Sequence, residues 1–251
     1  MASAGIGDSL EGFHAVRAAV DAGRVTSIRV EQSRLRRDDY RQLIYEATVA
    51  GVSVKRIDDV RSDAVTAAPQ GIIAKARPIP FVSIDEAVRA TKPPALLILD
   101  HLEDPRNVGA IARSMVAAGL RALVLPERRS APLGPTAFKA AVGAFEHLIV
   151  TEVKSTADAM RRLRKMGIWL VGLDAGGEQS LFGCDLLTEP VAIVVGAEGK
   201  GMTRLASDLV DLTVTIPIDA AVESLNASVA ASLALFEVSR QRRTKLGGPL
   251  A

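Results

Sequence analysis

From Ala95 onward the chain carries four short, continuously apolar runs, at residues 96–99, 122–125, 168–171 and 191–195, and a fifth at 212–216 interrupted by two threonines, with helical stretches between most of them. Runs of this length without polar alternation suit strands buried on both faces, and helices between them are the connections that a parallel sheet requires. The pattern predicts an α/β domain whose parallel sheet is covered on both faces and whose ligands bind beyond the carboxyl ends of its strands. The informative residues should then follow the runs: Asp100 to Asn107, Gly196 to Gly201 and Pro217 to Asn226.

The first part of the chain reads differently. Helical patterns at residues 12–22 and 38–50 alternate with strand patterns at 27–30 and 52–57, and a short apolar run follows at 71–74, which makes a small α/β unit. Pro78, Pro80, Pro93 and Pro94 punctuate the next stretch around a helical pattern at 83–90. The expected organisation is a domain at 1–77, a linker at 78–93 and a larger domain at 94–251.

With 251 residues, 48% of them hydrophobic and 24% charged, the chain has the composition of an ordinary globular protein. Its start lacks a basic segment followed by a continuous apolar one, and no later apolar run approaches the roughly 18 residues of a membrane span, so a cytoplasmic location is expected. Cys184, the single cysteine, has no partner for an internal disulfide and no His or Cys at metal-ligand spacing. The net charge of +2 lies within residues 1–78, which hold 12 Lys/Arg against 10 Asp/Glu. There Arg34, Arg36 and Arg37 stand near Tyr40 and Tyr45, a combination suited to phosphate contact and base stacking on RNA, although charge clusters are commonly only solvated faces.

The stretch Gly196-Ala-Glu198-Gly-Lys-Gly201-Met202 after the fourth apolar run has the character of a Gly-rich turn closing over a ligand. It is not a dinucleotide fingerprint: the order is G-x-x-G-x-G, and Glu198 would face the place where a pyrophosphate should rest. Nor is it a phosphate-binding loop of the Walker type, since Lys200 is followed by Gly201 and Met202 and no hydroxyl stands ready for Mg²⁺. By spacing alone the turn could equally be structural.

Three stretches together are more specific. Leu99-Asp-His101-Leu-Glu-Asp-Pro-Arg-Asn107-Val-Gly109-Ala-Ile-Ala-Arg113-Ser, Val195-Gly-Ala-Glu198-Gly-Lys-Gly-Met202, and Ile216-Pro-Ile218 leading to Ser224-Leu-Asn226-Ala-Ser-Val-Ala230 resemble, in order and spacing, the three motifs of the SpoU (TrmH-like) RNA ribose 2′-O-methyltransferases. The resemblance covers about residues 95–243. The N-terminal segment, ending in Gln70-Gly-Ile-Ile-Ala-Lys75, looks like the small L30e-like RNA-binding domain of the ribosomal-RNA branch. The resemblance implies S-adenosylmethionine as the cofactor, a C-terminal trefoil knot, a homodimer with each site near the interface, and a reaction without a metal. Periodicity alone would exclude a knot by default.

Carried over by position, the resemblance implies functional roles for Asn107, Arg113, Glu198, Ser224 and Asn226, and cofactor contacts around Leu173, Gly196, Ala197, Glu198, Gly201, Ile216, Ile218, Leu225 and Asn226. Arg113 is a poor base because a guanidinium holds its proton above about pH 12, but it suits a phosphate beside the target ribose and a developing alkoxide. Glu198 is expected to orient Arg113 or accept a proton, or to act as a carboxylate at a helix N-terminus. Ser224 and Asn226 position substrate or cap a helix whose apolar face includes Leu225, Val229, Leu233 and Phe236. Asn107 is expected to hold its loop by side-chain to backbone bonds, with Gly109 allowing close approach.

His101 and Ala220 stand where the motifs usually have Gly, and each adds a Cβ to its loop. The function expected is S-adenosylmethionine-dependent 2′-O-methylation of structured RNA, most of all a guanosine of 23S rRNA. The alternatives are a tRNA substrate, or an RNA-binding or ribosome assembly factor without catalysis.

Overall fold

The computed structural model describes residues 5–90 and 92–245. The chain begins with β1 (Gly5–Ile6), β2 (Ser9–Glu11), α1 (Phe13–Asp21), β3 (Val25–Glu31), α2 (Asp38–Val49), β4 (Ser53–Ile57), β5 (Ile72–Ala76) and β6 (Ile79–Pro80). Strands β2, β5, β3 and β4 form, in that order, a four-stranded sheet, and β1 pairs with β6. The remainder runs α3 (Ile84–Arg89), β7 (Ala95–Asp100), α4 (Pro105–Ala118), β8 (Ala122–Pro126), α5 (Pro135–Ala141), β9 (Ile149–Val153), α6 (Thr156–Lys165), β10 (Trp169–Leu173), β11 (Gln179–Ser180), β12 (Val191–Gly196), α7 (Arg204–Ser207), β13 (Leu212–Thr215) and α8 (Ala227–Lys245).

The second half holds a seven-stranded sheet, ordered β11-β13-β10-β12-β7-β8-β9, in which every neighbouring pair is parallel. All five runs contribute strands to it, and side chains that alternate between two apolar layers explain why polar residues are absent from the first four; β13 carries Thr213 and Thr215. Leu97, Leu99, Leu123, Val171, Ile193 and Val195 face a core shared with α4, α5 and α8, whereas Leu96, Ile98, Val124, Leu170, Ala192 and Val194 face one shared with α3, α6 and α7. Five strands escaped the periodic reading. β1, β2, β6 and β11 are too short to show a period, and the edge strand β9 carries Thr151 and Glu152.

Local chemistry sets several helix ends. Ser83 and Glu86 make a reciprocal capping box on α3, and Asp104 caps α4 with Pro105 in its first turn. Gly109 lets α4 and α5 touch: a Cβ there would lie 2.4 Å from the Ala137 carbonyl oxygen and 2.6 Å from the Ala140 Cβ. The close approach expected at Gly109 is thus between two helices.

The apolar face expected on the last helix is not the buried one. α8 turns Ala227, Ala231, Ala234, Leu235 and Val238 into the core and leaves Val229, Leu233 and Phe236 47%, 36% and 49% exposed. The small side chains admit close contact with α4, so the larger apolar residues form an outer stripe. Among the described residues no helix is long and apolar enough to cross a membrane.

Candidate active site

The site forms where adjacent parallel strands end. Registers place Gly196, the last residue of β12, beside Asp100, the last of β7, and Leu173 of β10 beside both Val195 and Val214. Beyond these ends lies a cavity of about 510 Å³, within the roughly 300–1,000 Å³ typical of small-molecule sites. Of the expected cofactor contacts, Leu173, Gly196, Ala197, Glu198, Gly201, Ile216, Ile218 and Leu225 line it, as does Ser224; Asn226 stands outside the lining.

The Gly-rich stretch is a tight turn. Ala197 and Gly201 exchange backbone hydrogen bonds of 3.0 and 2.9 Å, and Gly199 and Gly201 have φ of 70° and 66°, the left-handed region that favours glycine. Gly196 is required for another reason, because a Cβ on it would lie 2.0 Å from the Gly201 carbonyl carbon. The buried Asp100 ties this turn to the first loop by accepting from the Thr203 backbone N–H at 2.7 Å. Thr203 in turn caps α7.

The polar centre consists of three side chains from three loops. Asn107, buried in the first turn of α4, donates to Glu198 Oε1 at 2.8 Å; Asn226 donates to the same oxygen at 2.6 Å and to Asn107 Oδ1 at 3.1 Å. Asn226 Oδ1 accepts from the Ser228 N–H at 2.9 Å and the Ser228 hydroxyl at 2.6 Å, so the same residue caps α8. The Glu198 carboxylate thereby lies at the first turns of two long helices, where their dipoles favour negative charge.

Two expected pairings give way to this arrangement. Glu198 engages the two amides instead of Arg113, and Asn107 bonds side chains instead of loop backbone. The physical reason is that Glu198 and Asn107 enter from adjacent strand ends and meet directly, while Arg113 stands two turns further along α4 on its exposed face. Among the described residues Arg113 and Ser224 have no hydrogen-bond or ion-pair partner for their side chains, and both are exposed.

The two substituted glycine positions differ. His101 has φ 62°, so a non-glycine residue occupies a left-handed position, with its Nδ1 3.2 Å from the Arg129 carbonyl oxygen. Ala220 has no positive φ, and its Cβ faces the cavity without backbone strain.

In the N-terminal unit Arg34, Arg36 and Arg37 fall together on the turn at residues 32–37. Arg37 is paired with Asp39 through bonds of 3.0 and 2.5 Å, which hold the Asp39 carboxyl below its usual range. Arg34 lies 3.6 Å from Glu31, and Arg36 is exposed with no side-chain partner among the described residues. Tyr40 cannot stack on a base: it is buried, and its hydroxyl donates to the Gln70 carbonyl oxygen at 2.7 Å. Tyr45 is exposed.

Sequence reasoning missed several cavity residues, among them Asp174, Thr215, Asp219 and Glu223. A signal existed, since each follows or ends an apolar run. Together with Glu198 the three carboxylates make the cavity acidic, with Lys200 the one cationic side chain in its lining, while Leu173, Ile216, Ile218 and Leu225 supply apolar surface. This lining disfavours a pyrophosphate and suits a flat apolar ring attached to a cationic group, which is the chemistry of S-adenosylmethionine.

A two-part α/β chain with a ligand cavity at the carboxyl edge of a parallel sheet, walled by the loops that follow its strands, describes a class of small-molecule-dependent enzymes. Comparison with known proteins makes the class specific. The SpoU rRNA Methylase family matches residues 94–236, and a family described as RNA 2′-O ribose methyltransferase substrate binding matches residues 9–82. The chain belongs to the SpoU rRNA methylase family.

Among its relatives is the 23S rRNA (guanosine-2′-O-)-methyltransferase RlmB of Ralstonia nicotianae, 40% identical over 240 residues that cover 93% of this chain and 95% of that protein. The "Uncharacterized tRNA/rRNA methyltransferase slr0955" of Synechocystis is 39% identical over 94% of this chain, which spans 63% of that longer protein. The crystal structure of the SpoU methyltransferase AviRb from Streptomyces viridochromogenes in complex with the cofactor AdoMet shares the fold, with a TM-score of 0.78 at 24% identity over 94% of this chain and 90% of that one.

Proposed function

We propose that this protein transfers a methyl group from S-adenosylmethionine to a ribose 2′-hydroxyl of structured RNA, and that the target is a guanosine of 23S rRNA. The observation that carries this reading is the meeting of Asn107, Glu198 and Asn226 at the mouth of an acidic and apolar cavity, with the unpaired Arg113 on the same helix as Asn107. The match of residues 9–82 to a substrate-binding unit and the 40% identity to a 23S rRNA enzyme favour ribosomal RNA over tRNA and over a non-catalytic assembly factor.

Bound S-adenosylmethionine supplies an electrophilic methyl group on a positively charged sulfur. Leu173, Ile216, Ile218 and Leu225 of the cavity lining would hold its adenine, and the carboxylates of Asp174, Asp219 and Glu223 would offset its charge. Arg113 binds a phosphate beside the target ribose and stabilises the oxygen as its proton leaves. Glu198 Oε1 accepts from the two amides, which leaves Oε2 as the acceptor for that proton. Ser224, unpaired at the cavity wall, positions the ribose. By holding the ribose oxygen against the methyl group, these residues would supply much of the acceleration through alignment, and such a transfer would require no metal.

The finer architecture belongs to the same proposal. The C-terminal chain is threaded as a trefoil knot; the support is that β13 inserts between β10 and β11, two strands that precede it in the chain. The protein acts as a homodimer through the exposed stripe of Val229, Leu233 and Phe236 on α8. Residues 1–77 form the RNA-binding unit, with Arg34, Arg36 and Arg37 on its surface, 78–93 the connection and 94–251 the catalytic unit, in the cytoplasm where ribosomal RNA is found.

The test is transfer of labelled methyl from S-adenosylmethionine to unmodified ribosomal and transfer RNA, followed by 2′-O-methyl mapping with Arg113→Ala as control. A single ribose signal in 23S rRNA, lost in the control, is the expected result; a signal in tRNA alone would replace the substrate, and cofactor binding without transfer to any RNA would remove the catalytic reading.

A further inference from the structure

The N-terminal unit is clamped to the catalytic one by a buried ion pair that none of the motifs contains. Arg24, in the turn between α1 and β3 and 8% exposed, donates from Nε and Nη2 to the two carboxylate oxygens of Glu146 at 2.7 and 2.6 Å. Glu146 belongs to the short turn of helix after α5. Both Nη1 donors of Arg24 are also used, reaching the carbonyl oxygens of Gly7 at 2.6 Å and Arg77 at 2.7 Å. The guanidinium carbon lies 5.6 Å from the centre of the Phe138 ring.

The surfaces around this pair are closed. A Cβ on Gly7 would lie 2.2 Å from Phe138, and one on Gly143 would lie 2.6 Å from the Ala18 Cβ. Helix α5, which carries Phe138, also packs on α4 at Gly109, two residues from Asn107. A contiguous path of close packing therefore runs from the N-terminal unit through α5 to α4 at Gly109, next to its first turn. A buried bidentate pair resists sliding, because displacing either partner strands the other without compensation.

We propose that Arg24 and Glu146 are positioning residues for methyl transfer: they hold the RNA-binding unit at one distance from Asn107 and Arg113, so that the site of RNA anchorage determines which ribose reaches the cavity. The inference rests on the methyltransferase reading for its consequence but not for the clamp itself. A fixed spacing selects one ribose in a folded RNA as a ruler does, whereas a loose tether presents several, and a displacement of about 1 Å is enough to slow an aligned reaction by roughly 100-fold.

The experiment uses the full chain with Cys184→Ser and spin labels at Val49→Cys and Met166→Cys, one exposed position in each unit. The parent should give one narrow distance distribution, which widens in Arg24→Met and in Glu146→Gln. Glu146→Gln keeps the shape and one acceptor for Arg24, so it reports even if Arg24→Met does not fold. In parallel, 2′-O-methyl mapping on the RNA that the parent modifies should show kcat/KM at the parental ribose lowered about tenfold or more, new modification at neighbouring riboses, unchanged S-adenosylmethionine affinity, and partial recovery in Arg24→Lys. A broad distribution in the parent, or variants that keep both the parental distance and the single parental ribose, would overturn the proposal. If the parent modifies no RNA, the methyltransferase reading fails while the label distances still decide whether the clamp exists.

Discussion

Asn226 and Glu198 meet at 2.6 Å across 28 residues of chain, and the same asparagine caps α8 through its other side-chain atom. One residue thus joins the start of the last helix to the Gly-rich turn. Asn226→Ala removes both functions. Loss of a cap costs about 1 kcal/mol, so the melting midpoint should fall by about 2–4 °C, and kcat should fall about 100-fold as Glu198 loses its orientation. Thermal unfolding and single-turnover methyl transfer check the two effects; a stability loss with parental kcat would leave Asn226 a cap alone.

Arg113 has the opposite profile. Being exposed and unpaired among the described residues, it contributes nothing that folding can lose, and Arg113→Ala should leave the unfolding free energy within about 0.5 kcal/mol of the parent. Transfer to RNA should fall at least about 100-fold. Arg113→Lys keeps the charge without the forked donors and should recover only a small part; recovery of most of the activity would show that the fork is irrelevant.

Gly196→Ala tests the turn that walls the cavity. Its Cβ would collide with the Gly201 backbone, and backbone cannot yield as a flexible side chain does. The Ala197–Gly201 pairing should open and calorimetry should show S-adenosylmethionine affinity lowered about tenfold or more, with secondary structure retained. Gly199→Ala, where a Cβ meets open space, should weaken binding less, through its left-handed φ alone.

The carboxyl of Glu237 in α8 is held down to about 2 by hydrogen bonds from Arg240 above all, with further help from Gln241 and the Gly183 N–H. Its folded value lies below the ordinary 4.5, so its contribution to stability is present above pH 4.5 and disappears as pH falls toward 2. Glu237→Gln should therefore lower the melting midpoint at neutral pH by several degrees, since hydrogen bonds to a charged group contribute about 1.5–3 kcal/mol. The difference from the parent should shrink between pH 4.5 and 2, as unfolding scans across that range will show.

The outer stripe of α8 predicts assembly. Phe236→Glu together with Leu233→Asp places charge on exposed apolar positions and should cost the monomer little. Sedimentation should show a parental dimer and a monomeric variant; a parent that sediments as a monomer at assay concentration would remove the dimer from the proposal.

The amino-acid sequence by itself determined the parallel sheet, because strands buried on both faces must be apolar along their whole length, and Leu96–Leu99 and Val191–Val195 show no polar break. It also pointed to the strand ends, since the polar residues of such a sheet are confined there, and the resemblance to the family's motifs implied Asn107, Glu198 and Asn226, which the fold brings together. What it left open was decided by distance in space. Whether Glu198 binds Arg113 or the two asparagines depends on which strand ends are neighbours, and the order β12-β7 settles it. Which face of α8 is buried depends on how closely α4 approaches, so alanines are inside and Phe236 outside, against the apolar periodicity. The Arg24–Glu146 clamp joins residues 122 apart that belong to no motif, and only the folded chain brings them together.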